Sequence, residues 1–222
     1  MVNLLYYGAD IVTCQTERSK MAALFMTAGQ KAMYSTAYRK AFKFLDAGIN
    51  LLGPDSWSSE YELSLNLHDN AAKAAYCTGN DERLKARNDQ ISANATSSLH
   101  LVTSYSLQIK SYNDKFMWEE SVRSAVKILK KIGEKIDLDQ TDLMVASEVQ
   151  RTKDLIKGKS HQEIVAAMTE MKDERSLSRM MIYSNVLSAS FALNPELYSY
   201  ISARMGKVVF PLKFSLSNNL FI

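Results

Sequence analysis

Residues that break helices are scarce in this chain. Glycine occurs 8 times and proline 3 times among 222 residues. The three prolines, Pro54, Pro195 and Pro211, lie where one periodic segment gives way to the next. The alternation of β-branched and polar residues that is typical of half-buried strands does not recur. These absences together predict helices nearly throughout the chain.

Strong net charge and long apolar runs are also missing. The 27 basic residues face 24 acidic ones, which leaves a net charge of +3, too small to indicate a nucleic-acid partner. Lys127, Lys130, Lys131 and Lys135 recur at helical spacing, which predicts a solvated face. No apolar run approaches the ~20 residues that a membrane-spanning helix needs. We therefore expect neither nucleic acid nor membrane as a partner.

Cysteine is rare, with Cys14 and Cys77 far apart in the sequence. The first seven residues are fairly apolar, but Gly8-Ala9-Asp10 ends that run too early for the apolar core of a signal peptide. We therefore expect a cytoplasmic protein with reduced cysteines. Cysteine in a helix seam is usually buried as a small apolar residue, and we expect that role for both.

What the chain does contain is helical periodicity. Apolar and small residues recur at three- and four-residue steps, which places each set on one face of a predicted helix. The predicted stripes are Met21, Leu24, Ala28 and Ala32; Ala37, Ala41, Leu45, Gly48, Ile49 and Leu52; Tyr61, Leu65, Ala72 and Ala75; Trp118, Val122, Ala125, Val126, Leu129 and Ile132; Leu143, Ala146, Val149 and Ile156; Ile164, Val165 and Met168; Leu177, Met180, Ser184, Leu187 and Phe191; and Leu197, Ile201, Met205 and Val208.

Several helices carry recognisable start and stop signals. The predicted stops are Gly53-Pro54-Asp55, Thr78-Gly79-Asn80, Gly133 and Gly158. The predicted starts are two capping boxes (Ser59 with Glu62, Ser160 with Glu163), the cap Asp139, and Asn194 before Pro195. They divide the chain into about ten helices with short connections, so neighbouring helices should pack antiparallel.

A weak internal repeat favours one arrangement of these helices. The pattern Ala72, Ala75-Tyr76 has a counterpart in Gln108, Ser111-Tyr112, which lies 36 residues after Tyr76, close to the ~34-residue period of tetratricopeptide (TPR) repeats. Small residues let paired helices approach closely, and we predict that Ala37, Ala41, Ala72 and Ala75 lie in such seams. The sequence favours an all-α fold of antiparallel helical hairpins stacked as a TPR-like solenoid over a closed bundle.

Signals of chemistry are weak. Gly158-Lys159-Ser160 matches the end of a nucleotide-binding P-loop, but Lys153 stands where the motif needs another glycine. A helix end followed by a capping box explains the triplet. His68, His100 and His161 share no spacing with a second type of metal ligand, so we expect surface or half-buried roles for all three. Met180-Met181 and the other methionines are predicted core residues, with an adaptable binding groove as the alternative.

The order of segments resembles a known family of large signal-transduction proteins, widespread in cyanobacteria and found in algae and fungi. The family joins a serine/threonine-kinase-like domain, an AAA/STAND-type ATPase, a helical repeat region, and often GAF and histidine-kinase modules. The resemblance is to the helical region, over roughly residues 2–209. It is carried by Val2-Asn3, Gly8-Ala9-Asp10-Ile11 and Glu17-Arg18; by Ala28-Gly29, Lys31-Ala32, Ser35-Thr36-Ala37-Tyr38, Gly48, Leu51-Leu52 and Trp57; and by Gly158-Lys159-Ser160, Met171, Asp173 and Asn194-Pro195-Glu196-Leu197.

The resemblance implies a TPR-like domain over residues 1–209 and a tail over residues 210–222 that we expect to be poorly ordered. It also implies a fragment of a larger ATPase/kinase chain, or a stand-alone adaptor. The family's kinase and ATPase motifs have no matching positions here, so we expect a non-catalytic scaffold. We expect no catalytic, cofactor-binding or metal-binding residues and no cofactor. As partners we expect other proteins or the neighbouring ATPase, GAF and kinase modules. The alternative is a helical sensor that binds a small apolar ligand in its Met/Tyr-rich C-terminal half.

Overall fold

The computed structural model describes residues 14–136, 142–162 and 171–209. Within these ranges the chain is all-α, with ten α-helices, one short 3-10 helix and no strand, which confirms the predicted fold class and helix number. The helices are α1 (Gln15–Tyr34), α2 (Tyr38–Leu52), α3 (Ser56–Ser59), α4 (Tyr61–Cys77), α5 (Asp81–Asn94), α6 (Val102–Asp114), α7 (Trp118–Lys131), α8 (Asp142–Ile156), α9 (Glu174–Leu193) and α10 (Pro195–Val209), with the 3-10 helix at Ser98–Leu101 before α6.

The chain divides into two compact units, Met1–Ser111 and Tyr112–Ile222. In unit 1, α1 packs on α2, both contact α4, and α4 also packs on α3 and α5. In unit 2, α9 packs on α7 and α10, and α10 also packs on α8. The stacking of hairpins into a TPR-like solenoid stays a prediction.

Small residues bring the helices of unit 1 together. Ala41, Ala72 and Ala75 have no exposed surface, as predicted for seam residues, whereas Ala37 is only half-buried. Two glycines lie where helices of this unit approach each other closely. A Cβ atom on Gly29 would lie 2.5 Å from Cγ of Leu45, and one on Gly48 would lie 2.8 Å from Cδ2 of Leu67. The seams of α1, α2 and α4 are therefore too narrow for a further methyl group at these positions.

The stripe predicted for α1 is only partly right. Ala32 is buried, but Met21 and Ala28 are half-buried and Leu24 is exposed, and the buried face consists of Ala22, Phe25, Gly29 and Ala32. Both sets follow three- and four-residue steps, so periodicity alone does not separate them. Phe25 and Gly29 face the core because they pack against α2, where the Phe25 and Phe44 ring centroids lie 6.3 Å apart.

Unit 2 has its own buried core. The stripe predicted for α7 is confirmed from Val122 onward, since Val122, Ala125, Val126, Leu129 and Ile132 are all buried, whereas Trp118 is half-buried. They are joined by buried residues of α9 and α10, namely Ile182, Tyr183, Val186, Ala189, Tyr200, Ile201 and Ala203. The unit therefore buries apolar surface from α7, α9 and α10, and α8 adds Val145.

The stripes predicted for α8 and α9 are wrong. Leu143 of α8 is 82% exposed, and the buried residues of that helix are Val145 and Glu148. In α9, Leu177 and Phe191 are exposed, and the buried face contains Ser178, Ile182, Tyr183, Val186, Ala189 and Ser190. Polar residues belong to both buried faces, so a search for apolar residues alone selects the wrong side of each helix.

Most helix ends lie where the sequence predicts them. Gly53, Gly79, Gly133 and Gly158 have positive φ angles, the left-handed conformation that ends a helix. Pro195 begins α10, and Oδ1 of Asn194 accepts a hydrogen bond from the backbone N–H of Leu197 at 2.6 Å. The Ser59–Glu62 capping box is wrong, because Ser59 closes α3 and its hydroxyl donates to the carbonyl of Asp55 instead.

Some predictions fall outside the described residues. These are the first block of the family resemblance at residues 2–11, the cap at Asp139, Glu163 of the second capping box, the short helix with Ile164, Val165 and Met168, and the tail at residues 210–222. Among the helices that the structure does describe, none is both long and apolar enough to cross a membrane.

Candidate functional site

A groove of about 400 Å³ lies in unit 1 between α2 and the start of α5, and we call it the basic groove. It is lined by Arg39, Phe42, Lys43, Asp46, Ala47, Asn50, Thr78, Asn80 and Arg83. Three of these residues are cationic and two are amides. Arg39 and Lys43 are one helical turn apart on α2. The left-handed Gly79 turns the chain so that Asn80 can cap α5, with its side chain accepting from the Arg83 amide at 3.0 Å. This turn places the first residues of α5 at the groove.

Four aromatic and imidazole rings form a second polar site in unit 1. The Trp57 ring lies 4.9 Å from the His68 ring and 5.9 Å from the Tyr61 ring, measured between centroids. The Tyr61 hydroxyl accepts a hydrogen bond from the Thr96 amide at 3.0 Å and lies 2.6 Å from Nδ1 of His100. Through its contact with His100, this hydroxyl joins α4 to the 3-10 helix. The cluster therefore holds α3, the backbone at Thr96 and the 3-10 helix against α4.

The two histidines of this cluster differ in burial. His68 is 4% exposed, so the prediction of a surface or half-buried residue is wrong for it, because the Trp57 ring covers it. Burial, and next the positive charge of Arg87, lower the pKa of His68 to about 4. Burial raises the pKa of neighbouring Asp69 to about 6, although the charges of Lys73 and His100 act in the opposite direction. His100 is half-buried and His161 is exposed, as predicted.

A network of ion pairs organises unit 2. Glu134 lies 3.0 Å from Arg179 of α9 and 2.5 Å from Arg204 of α10, and it accepts a hydrogen bond from the buried Tyr183 hydroxyl at 3.1 Å. Glu148 of α8 pairs with Arg204 at 3.2 Å and with Lys207 at 2.6 Å. Arg204 is shared by both carboxylates, so the network connects the end of α7 with α8, α9 and α10.

Glu148 is held in its charged form by its partners in this network. Burial alone would raise the pKa of Glu148, but hydrogen bonds and charges from Lys207 and Arg204 outweigh it, and the pKa lies below its usual value. The pKa of Tyr183 is raised, chiefly because its hydroxyl is buried. The oxygens of Glu148 are therefore engaged by the cations of Arg204 and Lys207.

A groove of about 710 Å³ lies beside the network, in the C-terminal half of the chain. It is lined by Lys130, Lys135, Ile136, Leu143, Met144, Ser147, Glu148, Arg151, Tyr200 and Arg204. Lys130 and Lys135 belong to the predicted solvated lysine face, and both are exposed. Five of the ten lining residues have charged side chains, so this groove is more polar than a pocket for an apolar ligand would be.

The Gly158-Lys159-Ser160 triplet follows the end of α8. Gly158 has φ +74°, and the Lys159 amide bonds to the Ile156 carbonyl at 3.2 Å. Lys153 lies inside α8, so the segment before the triplet is helix rather than the strand that a P-loop follows. The predicted helix end is therefore confirmed.

Cysteine and methionine are placed differently from the prediction. Cys14 and Cys77 are both exposed, so their predicted burial in helix seams is wrong, because each lies at the end of a helix rather than within a packed face. Partial burial nevertheless raises the pKa of the Cys77 thiol, which disfavours the reactive thiolate. Met181 is 47% exposed, whereas Met180 is half-buried. In the described part of the chain, no three His, Cys, Asp or Glu side chains are grouped to hold a metal ion.

Comparison with known proteins gives one informative similarity. The chain is 20% identical over 167 residues to the hybrid signal transduction histidine kinase G of Dictyostelium discoideum. The alignment takes in 71% of this chain and 5% of that protein, so the chain corresponds to a short segment of a much longer one. No family model matches the sequence, and no solved structure matches it.

Proposed function

We propose that this chain is a non-catalytic helical scaffold that couples or docks modules of a signal-transduction protein. The observation that carries the proposal is the similarity to a segment amounting to 5% of a hybrid histidine kinase. A helical segment that makes up so small a share of a kinase suits a connecting role. The helix pairs of unit 1, with Gly29 and Gly48 at close approaches, would give such a connector well-defined packing.

The ionisable groups of unit 2 support a structural rather than a catalytic role. Glu134 and Glu148, two largely buried carboxylates, are both paired with arginine or lysine from other segments. In a repeat-type scaffold, each helix pair contacts its neighbours, and small shifts at successive contacts can add along the chain. Upstream ATPase and downstream GAF or kinase modules are the partners that we propose, in a cytoplasmic protein.

The sequence of the full transcript tests this proposal. We expect one reading frame that encodes an ATPase-type module before this segment and a sensor or kinase module after it. A frame that encodes this chain alone would rule out coupling within one protein. The stand-alone adaptor would then have to bind separately expressed modules of that kind in a pull-down assay, and failure to bind them would refute the scaffold proposal.

We also expect the chain not to bind nucleotide. Lys153 stands where a P-loop needs glycine, and α8 occupies the segment where the motif needs a strand. Titration of the purified chain with ATP and magnesium should give no binding isotherm up to millimolar concentration. Saturable binding that is lost in Lys159→Ala would contradict this expectation, and Lys157→Ala, a change just outside the triplet, is the matched control.

A ligand sensor is the second candidate, and the groove of about 710 Å³ in unit 2 favours it. That volume lies within the ~300–1,000 Å³ of typical small-molecule pockets. Met144 and Tyr200 line it, but so do Lys130, Arg151 and Arg204, so a charged ligand would suit it better than the apolar ligand expected from the sequence. A ligand screen by thermal shift should give hits that Met144→Trp, which would fill the groove, removes.

A further inference from the structure

The cations of the basic groove are not balanced by carboxylates. Asp46 is the one acidic residue in its lining, and Arg87 already pairs with Asp46. Among the described residues, neither Arg39 nor Lys43 has a carboxylate within ion-pair distance, and both are exposed. The groove therefore carries the uncompensated charge of Arg39, Lys43 and Arg83.

Packing holds one of these cations in place. The Arg83 guanidinium lies over the Phe42 ring, 4.5 Å from its centroid, and the ring itself is 5% exposed. The Arg87 guanidinium lies 5.8 Å from the same centroid. A cation fixed against a buried ring loses less conformational freedom when it binds an anion than a freely moving side chain would.

Neutral groups complete the groove. Asn80 uses its side-chain oxygen to cap α5, which leaves its amide nitrogen as a hydrogen-bond donor. Asn50 adds a second amide, which is exposed, and Phe42 and Ala47 provide an apolar floor. Donors above a small apolar surface suit carboxylate side chains, whose methylene groups can pack while their oxygens bind cations.

We propose that the basic groove binds an acidic peptide segment of a protein partner. The cations are exposed and distributed over a turn of α2 and the start of α5, an arrangement that suits several carboxylates along a chain better than one compact anion. This inference rests on the proposed scaffold function, because it names the surface and the chemistry through which the scaffold would take a partner.

The test measures peptide binding to the whole chain by fluorescence anisotropy. The probes are labelled octaglutamate and octaglutamine, in low-salt buffer, because exposed charge pairs weaken as salt rises. Octaglutamate should bind and octaglutamine should not. Lys43→Gln and Arg83→Gln should each weaken binding about threefold, and the double variant about tenfold, as expected for exposed ion pairs. Lys85→Gln is the matched control, an exposed lysine of α5 outside the groove, and should bind as the wild type does.

Three outcomes would overturn the assignment. Equal weakening by Lys85→Gln would mean that overall charge, rather than the groove, attracts the peptide. Displacement of octaglutamate by inorganic phosphate, but not by chloride at the same ionic strength, would indicate a site for a compact free anion. Absence of octaglutamate binding would exclude the groove as a peptide site and leave the scaffold proposal standing, since its modules could dock elsewhere. Circular dichroism of each variant checks that the fold is retained.

Discussion

At the residue scale, glycines set how closely the helices of unit 1 approach. In an exposed helix, replacing glycine with alanine stabilises by roughly 1 kcal/mol, because alanine loses less backbone freedom on folding. Gly29 is buried in α1, and its missing side chain is what admits Leu45 of α2. Packing and intrinsic propensity therefore act in opposite directions at this position.

We expect packing to prevail at Gly29. A Cβ atom 2.5 Å from Cγ of Leu45 forces the helices apart, and such overpacking typically costs about 1–3 kcal/mol. Gly29→Ala should therefore lower the free energy of unfolding in urea. Combining it with Leu45→Ala makes room for the new methyl group, so in that background the Gly29→Ala change should be neutral or stabilising. A rise in stability from Gly29→Ala alone would disprove the close contact.

His68 and Asp69 should give opposite pH dependences. The pKa of His68 is about 4 in the folded state and 6.5 when unfolded, so the unfolded state binds more protons between these values and stability rises with pH. The pKa of Asp69 is about 6 when folded against 3.8 when unfolded, so its contribution falls as pH rises through that window. In the wild type the two contributions largely cancel between about pH 4 and 6.

Single variants should separate the two contributions. In Asp69→Asn only the His68 contribution remains. The free energy of unfolding should therefore increase between pH 4 and pH 6.5, relative to the wild type, by on the order of 2–3 kcal/mol. In His68→Gln only the Asp69 contribution remains, so the free energy of unfolding should decrease between pH 4 and pH 6 relative to the wild type. Urea unfolding at a series of pH values measures both slopes. Parallel pH profiles for the two variants would mean that neither group is buried as described.

At the scale of elements, polar contacts as well as apolar ones fix the helices of unit 2. Glu134 follows α7 and bonds to Arg179 and Tyr183 of α9 and to Arg204 of α10. Removing one member of a buried charged network leaves its partners unpaired, which costs more than the pair itself contributes. The network therefore connects the end of α7 with α9 and α10.

Glu134→Ala should accordingly destabilise unit 2 by about 2–3 kcal/mol. Glu119→Ala is the control, because Glu119 pairs with Arg123 on the surface of α7, where both side chains are 73% exposed. An exposed pair contributes ~0.5 kcal/mol, so this variant should unfold almost as the wild type does. Chemical denaturation followed by circular dichroism measures both. Equal effects would show that the Glu134 network adds no more than a surface ion pair.

At the scale of the whole molecule, each unit has its own buried core. Ala41 has no exposed surface, and Ala41→Leu would force extra methylene groups into its seam, at a cost of about 1–3 kcal/mol. In a scaffold whose parts contact only their neighbours, the damage should stay local. Hydrogen exchange should therefore accelerate over residues 20–80 and remain close to wild type over residues 171–205. Lys43→Leu, at an exposed position of the same helix, should change exchange much less.

A uniform rise in exchange would indicate one cooperative bundle instead. The coupling-scaffold proposal would then lose its physical basis, because a change in one region would reach every other region at once. A ligand sensor that uses the unit 2 groove would then be the better hypothesis for the function of the chain.

The sequence by itself determined the helices of this protein, because the signals for them are local. Gly53, Gly79 and Gly133 mark stops and Asn194-Pro195 marks a start, since a positive φ or a side-chain cap depends on a few neighbouring residues. Only the tertiary structure decided which face of α1, α8 and α9 is buried. Two faces of α1 have the same periodicity, and those of α8 and α9 bury Glu148 and Ser178 through contacts with distant helices. The basic groove was likewise missed, because α3 and α4 separate Arg39 and Lys43 from Arg83 in sequence, and only the packing of α2, α4 and α5 brings the three residues together.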